Sequence, residues 1–144
     1  MIVPFGEWTP AQCAAAQVTL ESHPAHVQKF LPFETTLRVV WRNLEDGVVR
    51  GAFIGGYLSI YDVGPTWCSD AVLLHEYVTM RAMPGGTFKG YIQGLRYIAH
   101  VNNCVGIITG NGVLRPGLRK LYEQAGFVKQ NEAYFLGVQH GRVG

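Results

Sequence analysis

Charge is scarce in this chain. Asp, Glu, Lys and Arg make up 15% of its 144 residues, the net charge is +2, and no run of Lys or Arg stands out. An electrostatic grip on DNA or RNA is therefore excluded as a main function. Cysteine is sparse too: Cys13, Cys68 and Cys104 are odd in number and far apart, with no CxxC pair. That pattern excludes a disulfide framework and fits a reducing compartment. No stretch reaches the ~18 apolar residues that span a bilayer. Residues 1–7 lack the basic region and apolar core of a secretory leader. A soluble, cytoplasmic protein without membrane or nucleic-acid partners is expected. His23 and His26 have the spacing of half a metal site, but no second pair completes it, so no metal is expected.

What the chain does have is apolar surface to bury. Hydrophobic residues are 48% of the sequence, enough at this length for one domain with a genuine core, over residues 1–144. Residues 1–5 suit an edge strand. Thr9-Pro10 supplies a helix cap followed by proline at the first helical position, and residues 11–21 are helix-compatible. Pro24 is expected to end that helix, with a second short one at 25–31. Residues 36–42 are β-branched and aromatic, residues 45–47 read as a turn, and 48–61 as extended, together a hairpin. Another strand is expected at 71–80.

Glycines then cluster at Gly85, Gly86 and Gly90, before a helical apolar period through Tyr91, Ile92, Leu95, Ile98 and Ala99. A buried strand at 105–109 and a loop at 110–117 follow. A helix then carries Leu118, Leu121, Tyr122 and Ala125 on one face, closed by Gly126. Residues 127–138 complete the pattern as two strands. The order is β-α-α-β-β-β-α-β-α-β-β, an α/β domain (of the α+β type) with a mixed sheet.

Two places carry chemistry. A glycine loop that opens a helix lets successive backbone N–H groups point at one anion, with the helix dipole adding to the attraction. The loop is not a Walker sequence, because Lys89 precedes Gly90 rather than Ser or Thr. The second place is Leu118-Arg119-Lys120-Leu121-Tyr122-Glu123-Gln124-Ala125-Gly126-Phe127. This segment resembles the leucine-tyrosine-glutamate…glycine-phenylalanine signature of the GCN5-related N-acetyltransferase superfamily. It stands one strand and one loop after the glycine-loop helix, as in that family.

The resemblance implies a mostly antiparallel sheet with flanking helices and a V-shaped opening between the strands at 71–80 and 105–109. It implies acetyl-coenzyme A as acyl donor, its pantetheine arm along Val78 and Met80. The pyrophosphate would rest on Gly85, Gly86, Thr87, Phe88, Lys89 and Gly90. It further implies Tyr122 as the acid that protonates the departing thiolate, and a small-molecule or peptide amine as acceptor. The loop departs from the family pattern: counting back from the helix puts Met83 at the basic position, and a shifted frame puts Arg81 there. Arg115 stands where the family often has asparagine, with Asn111 nearby. A non-catalytic member of the same fold, acting as a binding or structural protein, is the alternative.

An amine must lose a proton to be acylated, and Glu76 is the candidate base. Strand alternation places it on one face with Leu74, Val78 and Met80. Its second reading is as an ion-pair partner of Arg81 or Arg96. His75 falls on the opposite face. His100 and Cys104 mimic a nucleophile pair but read better as packing and cap residues. Trp41, Trp67 and Tyr57 are candidate pocket aromatics whose simpler role is core.

Overall fold

The protein, as a computed structural model, is described for residues 1–27, 37–109, 116–129 and 136. A short strand, β1 (Ile2–Pro4), leads through a 3-10 turn into helix α1 (Pro10–Val27). Thr9 caps α1 reciprocally. Its Oγ1 accepts from the Gln12 amide at 3.2 Å, and the Thr9 amide donates back to Gln12 Oε1 at 2.9 Å. This is a capping box formed by Thr9-Pro10-Ala11-Gln12. The backbone stays helical through Pro24, so the expected break there is corrected. The described part of the expected short helix at 25–31 belongs to α1.

Residues 36–42 are corrected as well. Residues 37–42 belong not to a strand but to helix α2 (Leu37–Glu45), and Thr36 lies outside the described residues. Leu37, Val40, Trp41 and Leu44 recur at helical spacing and pack together on the core. That period outweighed the β preference of the individual residues. Strands β2 (Arg50–Ile54) and β3 (Tyr57–Thr66) divide the extended run at Gly55-Gly56, and β4 (Ser69–Arg81) follows. Then come helix α3 (Phe88–Val101), strand β5 (Gly106–Thr109) and helix α4 (Pro116–Gln124). The symbols through α4 are the expected ones, although different segments supply two of them. Phe127 to Lys129 are not a strand, and the rest of the expected strand pair at 127–138 lies outside the described residues, Leu136 excepted.

The strands lie in the order β1-β2-β3-β4-β5, antiparallel except for the parallel pair β4–β5. Both sheet faces are covered. On one, α1 and α2 bury Trp8, Ala16, Leu20 and Leu44 against Phe53, Leu58, Ile60, Val78 and Met80. On the other, α3 and α4 bury Tyr91, Leu95, Ile98 and Tyr122 against Ala52, Ile54, Tyr61 and Leu74.

Gly94 sets how closely α3 approaches β2: a Cβ there would stand 2.5 Å from Ile54 Cγ2. Alanine favours a helix by ~1 kcal/mol over glycine, but overpacking a core costs ~1–3 kcal/mol. Ile54 is buried and its Cγ2 branches directly from Cβ, so it has little room to move. Gly94→Ala is therefore expected to lower stability by about 1–2 kcal/mol in urea unfolding; a gain would contradict this packing.

Candidate active site

The site begins with an irregularity in β4. Ile60 of β3 pairs with Val78, but the next residue, Tyr61, pairs with Glu76, leaving Tyr77 as an extra residue. Such a bulge shifts the side-chain alternation by one. The expectation that Leu74, Glu76, Val78 and Met80 share a face is thus corrected. Leu74 and Glu76 face α3 and α4, Val78 and Met80 face α1 and α2, and Thr79 returns to Glu76's side.

The bulge coincides with a fork. β5 pairs with β4 from Leu73 only as far as Glu76, where the partner is Thr109. β4 then runs on to Arg81 with no strand on that edge among the described residues. Glu76 sits at the point where the strands part.

Glu76 is nonetheless 3% exposed, and side chains from three other elements converge on it. Tyr91 of α3 donates to Oε2 and Tyr122 of α4 donates to Oε1. Thr109 of β5 donates to Oε1 at 2.8 Å. The Tyr91 oxygen also lies 2.8 Å from Thr79 Oγ1 and 3.1 Å from Ser59 Oγ, and the Tyr122 oxygen 3.0 Å from Thr79 Oγ1. Burial first, and then the Glu76 charge, push both phenols above the ordinary tyrosine range. Neither proposed ion-pair partner is used for Glu76: Arg96 donates to the Ala125 carbonyl at 3.0 Å and Arg81 is turned to the glycine loop.

Tyr122 is brought to Glu76 by the buried stripe of α4, which is Leu118, Tyr122 and Ala125. Leu121, expected in that stripe, is 40% exposed. Phe88 and Phe127 pack edge-on against the Tyr122 ring at 5.3 and 5.0 Å. Gly126, at φ 101°, closes the helix as expected.

The glycine loop follows β4. Gly85 and Gly86 adopt φ of 105° and 72°, a backbone that L side chains rarely take. The loop packs on the Gly55-Gly56 turn, where the Gly56 amide donates to the Gly85 carbonyl at 3.0 Å. A Cβ on Gly56 would stand 2.0 Å from the Met83 carbonyl oxygen. Thr87 caps α3, its Oγ1 accepting from the Gly90 amide at 3.0 Å. The amides of Gly86, Thr87, Phe88 and Lys89 meet no protein acceptor among the described residues. Four successive donors at a helix start form a concave seat suited to an anion. Beyond it, a cavity of about 390 Å³ runs between Phe88, Lys89, Gln93 and Arg96 of α3 and Leu121 and Gln124 of α4.

The remaining candidates do not join this site. Cys104 packs beside the α3–α4 core, while His100 is exposed. Trp41 stacks with Phe5 and Trp8 on the α1–α2 face, and Trp67 is exposed at the tip of the β3–β4 hairpin. Asn111 and Arg115 lie outside the described residues, as do the side chains of His23 and His26. Among the described residues no cluster of His, Cys, Asp and Glu has metal-site geometry, and no helix is long and apolar enough to cross a membrane. Sequence reading missed Tyr91, Thr109, Ser59 and Thr79. Only Tyr91 had a signal, as a phenol in an otherwise apolar helix stripe.

No family model matches the chain, and no curated protein does. Solved structures match its fold throughout. A probable acetyltransferase superposes with TM-score 0.69 at 11% identity, covering 98% of this chain and 99% of its own. A ribosomal-protein-alanine N-acetyltransferase from Brucella melitensis biovar Abortus 2308 gives TM-score 0.63 at 16% identity, over 96% and 98% of the two chains. An aminoglycoside acetyltransferase from an uncultured soil metagenomic sample gives 0.63 at 10%, over 96% of each. The chain has the GCN5-related N-acetyltransferase fold that its C-terminal signature implies.

The phenols give the site a pH signature. Their folded values lie above the unfolded value of ~10, so above about pH 10 the unfolded chain releases protons that the folded one keeps. Their contribution is complete below about pH 10 and falls as pH rises, by ~1.4 kcal/mol per pH unit for each phenol. Tyr122→Phe should flatten this alkaline decline by about that amount, measured by urea unfolding between about pH 9 and 11. Parallel declines in both proteins would contradict the burial of an un-ionised Tyr122.

Proposed function

We propose that this protein is an acetyl-coenzyme A-dependent N-acetyltransferase that acylates a primary amine by direct attack within a ternary complex. The observation that carries the proposal is the meeting of three features along one edge of β4. They are the fork beyond Glu76, the amide seat at Gly86–Lys89 and the Tyr122 hydroxyl behind the fork.

The pantetheine arm would lie along the edge of β4 that β5 leaves beyond Glu76, near Val78 and Met80, by strand-like pairing with backbone. The pyrophosphate would sit on the loop from Gly85 to Gly90. Lys89, Gln93 and Arg96 line the groove that continues from it. The amine nitrogen attacks the thioester carbonyl, a backbone N–H near Val78 polarises the carbonyl oxygen, and the carbon–sulfur bond breaks. The sulfur leaves as a thiolate and takes the Tyr122 proton. The amine's proton passes to Glu76, directly or through water. Because Tyr122 and Glu76 are hydrogen-bonded, one proton lost at nitrogen balances one gained at sulfur. Holding both reactants in register supplies much of the rate. The acceptors named for the Brucella and soil enzymes, a ribosomal protein alanine and aminoglycosides, define the amine classes to screen.

Calorimetry with acetyl-coenzyme A and a thiol-release screen across amines test the proposal. Absence of binding would favour a non-catalytic binding or structural protein instead. Gly86→Val, which forces a side chain into a left-handed backbone, should weaken cofactor binding while the domain stays folded. Tyr122→Phe keeps the ring packing and removes the proton. Its single-turnover rate should fall ~10²–10⁴-fold with cofactor affinity retained. A near-wild-type chemical rate would show that the thiolate leaves without Tyr122.

A further inference from the structure

Arg81 ends β4 beside the glycine loop, where a cation would ordinarily be read as a phosphate ligand. Its guanidinium is placed differently. It lies 4.5 Å above the Tyr57 ring, on the strand that pairs with it. From there Nη1 donates to the Gly85 carbonyl at 2.8 Å and reaches the Met83 carbonyl at 3.4 Å, and Nη2 donates to the Gly86 carbonyl at 3.1 Å. One planar cation thus gathers three loop carbonyls, which a rigid fork of donors does well and an ammonium does poorly.

The peptide bond couples this clamp to the loop's other side. In a trans peptide the C=O and the following N–H point in opposite directions, and the described residues hold no cis peptide. With the Gly85 and Gly86 carbonyls turned towards Arg81, the Gly86 and Thr87 amides must face away from it. These are the first two donors of the amide seat, and Phe88 and Lys89 continue it into α3. The two glycines supply the positive φ values that permit this turn.

We propose that Arg81 is a positioning residue for the acyl donor: it orders the Gly85–Thr87 backbone from behind and does not ligate the pyrophosphate. This rests on the cofactor reading above. If the arginine is lost, the amides converge only part of the time, and apparent affinity falls by the fraction of time they do so.

The test compares Arg81→Lys, which keeps the charge, with Arg81→Met, which removes it, after thermal melts confirm that both fold. Two measurements are made on each: dissociation constants for acetyl-coenzyme A and for acetyl-pantetheine, and backbone heteronuclear NOEs at Gly85, Gly86 and Thr87 without ligand. Both variants should bind acetyl-coenzyme A about tenfold or more weakly, as expected if the loop is ordered about a tenth of the time. Acetyl-pantetheine, which lacks the pyrophosphate, should be unaffected, and the NOEs at the loop should fall in both. Full affinity in Arg81→Lys with a weak Arg81→Met would show a charge acting on phosphate and overturn the proposal, as would unchanged NOEs. If the unmodified protein binds no acetyl-coenzyme A, the cofactor reading fails, and the role of Arg81 towards the donor fails with it. The NOEs would then still report whether Arg81 orders the loop.

Discussion

A carboxylate taken out of water costs on the order of several kcal/mol unless hydrogen bonds replace the lost hydration. Glu76 is such a group, 3% exposed in a sheet whose other buried side chains are mostly apolar, Ser59 and Thr79 excepted. Tyr91, Tyr122 and Thr109 donate to it from α3, α4 and β5. Each donor is positioned by a different element, so the carboxylate ties both helices and the short parallel strand to the centre of the sheet. Where β5 stops pairing with β4, these bonds hold the strands at their point of divergence.

The bulge at Tyr77 makes this arrangement possible. Without the extra residue, Glu76, Val78 and Met80 would lie on one face, and an apolar layer would meet the two phenols. With it, Glu76 and Thr79 both reach Tyr91 and Tyr122, while Val78 and Met80 join the core beneath α1 and α2. The same strand therefore serves two chemistries. It also runs on into the Arg81 clamp and the glycine loop, so the polar cluster and the amide seat are two ends of one continuous piece of β4.

Much of this was legible in the sequence, for reasons tied to particular residues. Thr9-Pro10 announced α1, Gly126 closed α4, and the period from Tyr91 to Ala99 marked α3. Tyr122 and Glu76 were picked out separately; the fold brings them into a hydrogen bond across 46 positions. What was not legible depended on partners distant in sequence. The identity of Tyr77 does not encode a bulge, since the offset arises from register against β3. Arg81 read as the loop's basic position in a shifted frame or as an ion-pair partner of Glu76, because its stacking on Tyr57 and its carbonyl partners exist only after the hairpin and loop close. Residues 36–42 were misread because Val39, Val40 and Trp41 favour strands one by one, whereas Leu37, Val40, Trp41 and Leu44 make a helical stripe as a set.

The central claim is that the edge of β4 beyond Glu76 and the amide seat form one binding track for an acyl-coenzyme A. Amide chemical-shift mapping during titration with acetyl-coenzyme A tests it residue by residue. The account predicts saturable shifts at Gly86, Thr87, Phe88 and Lys89 and along β4 beyond Glu76, with smaller ones in the α3–α4 groove. Shifts confined to the separate hollow lined by Phe5, Leu44, Arg50 and Tyr61, or none at millimolar ligand, would contradict it.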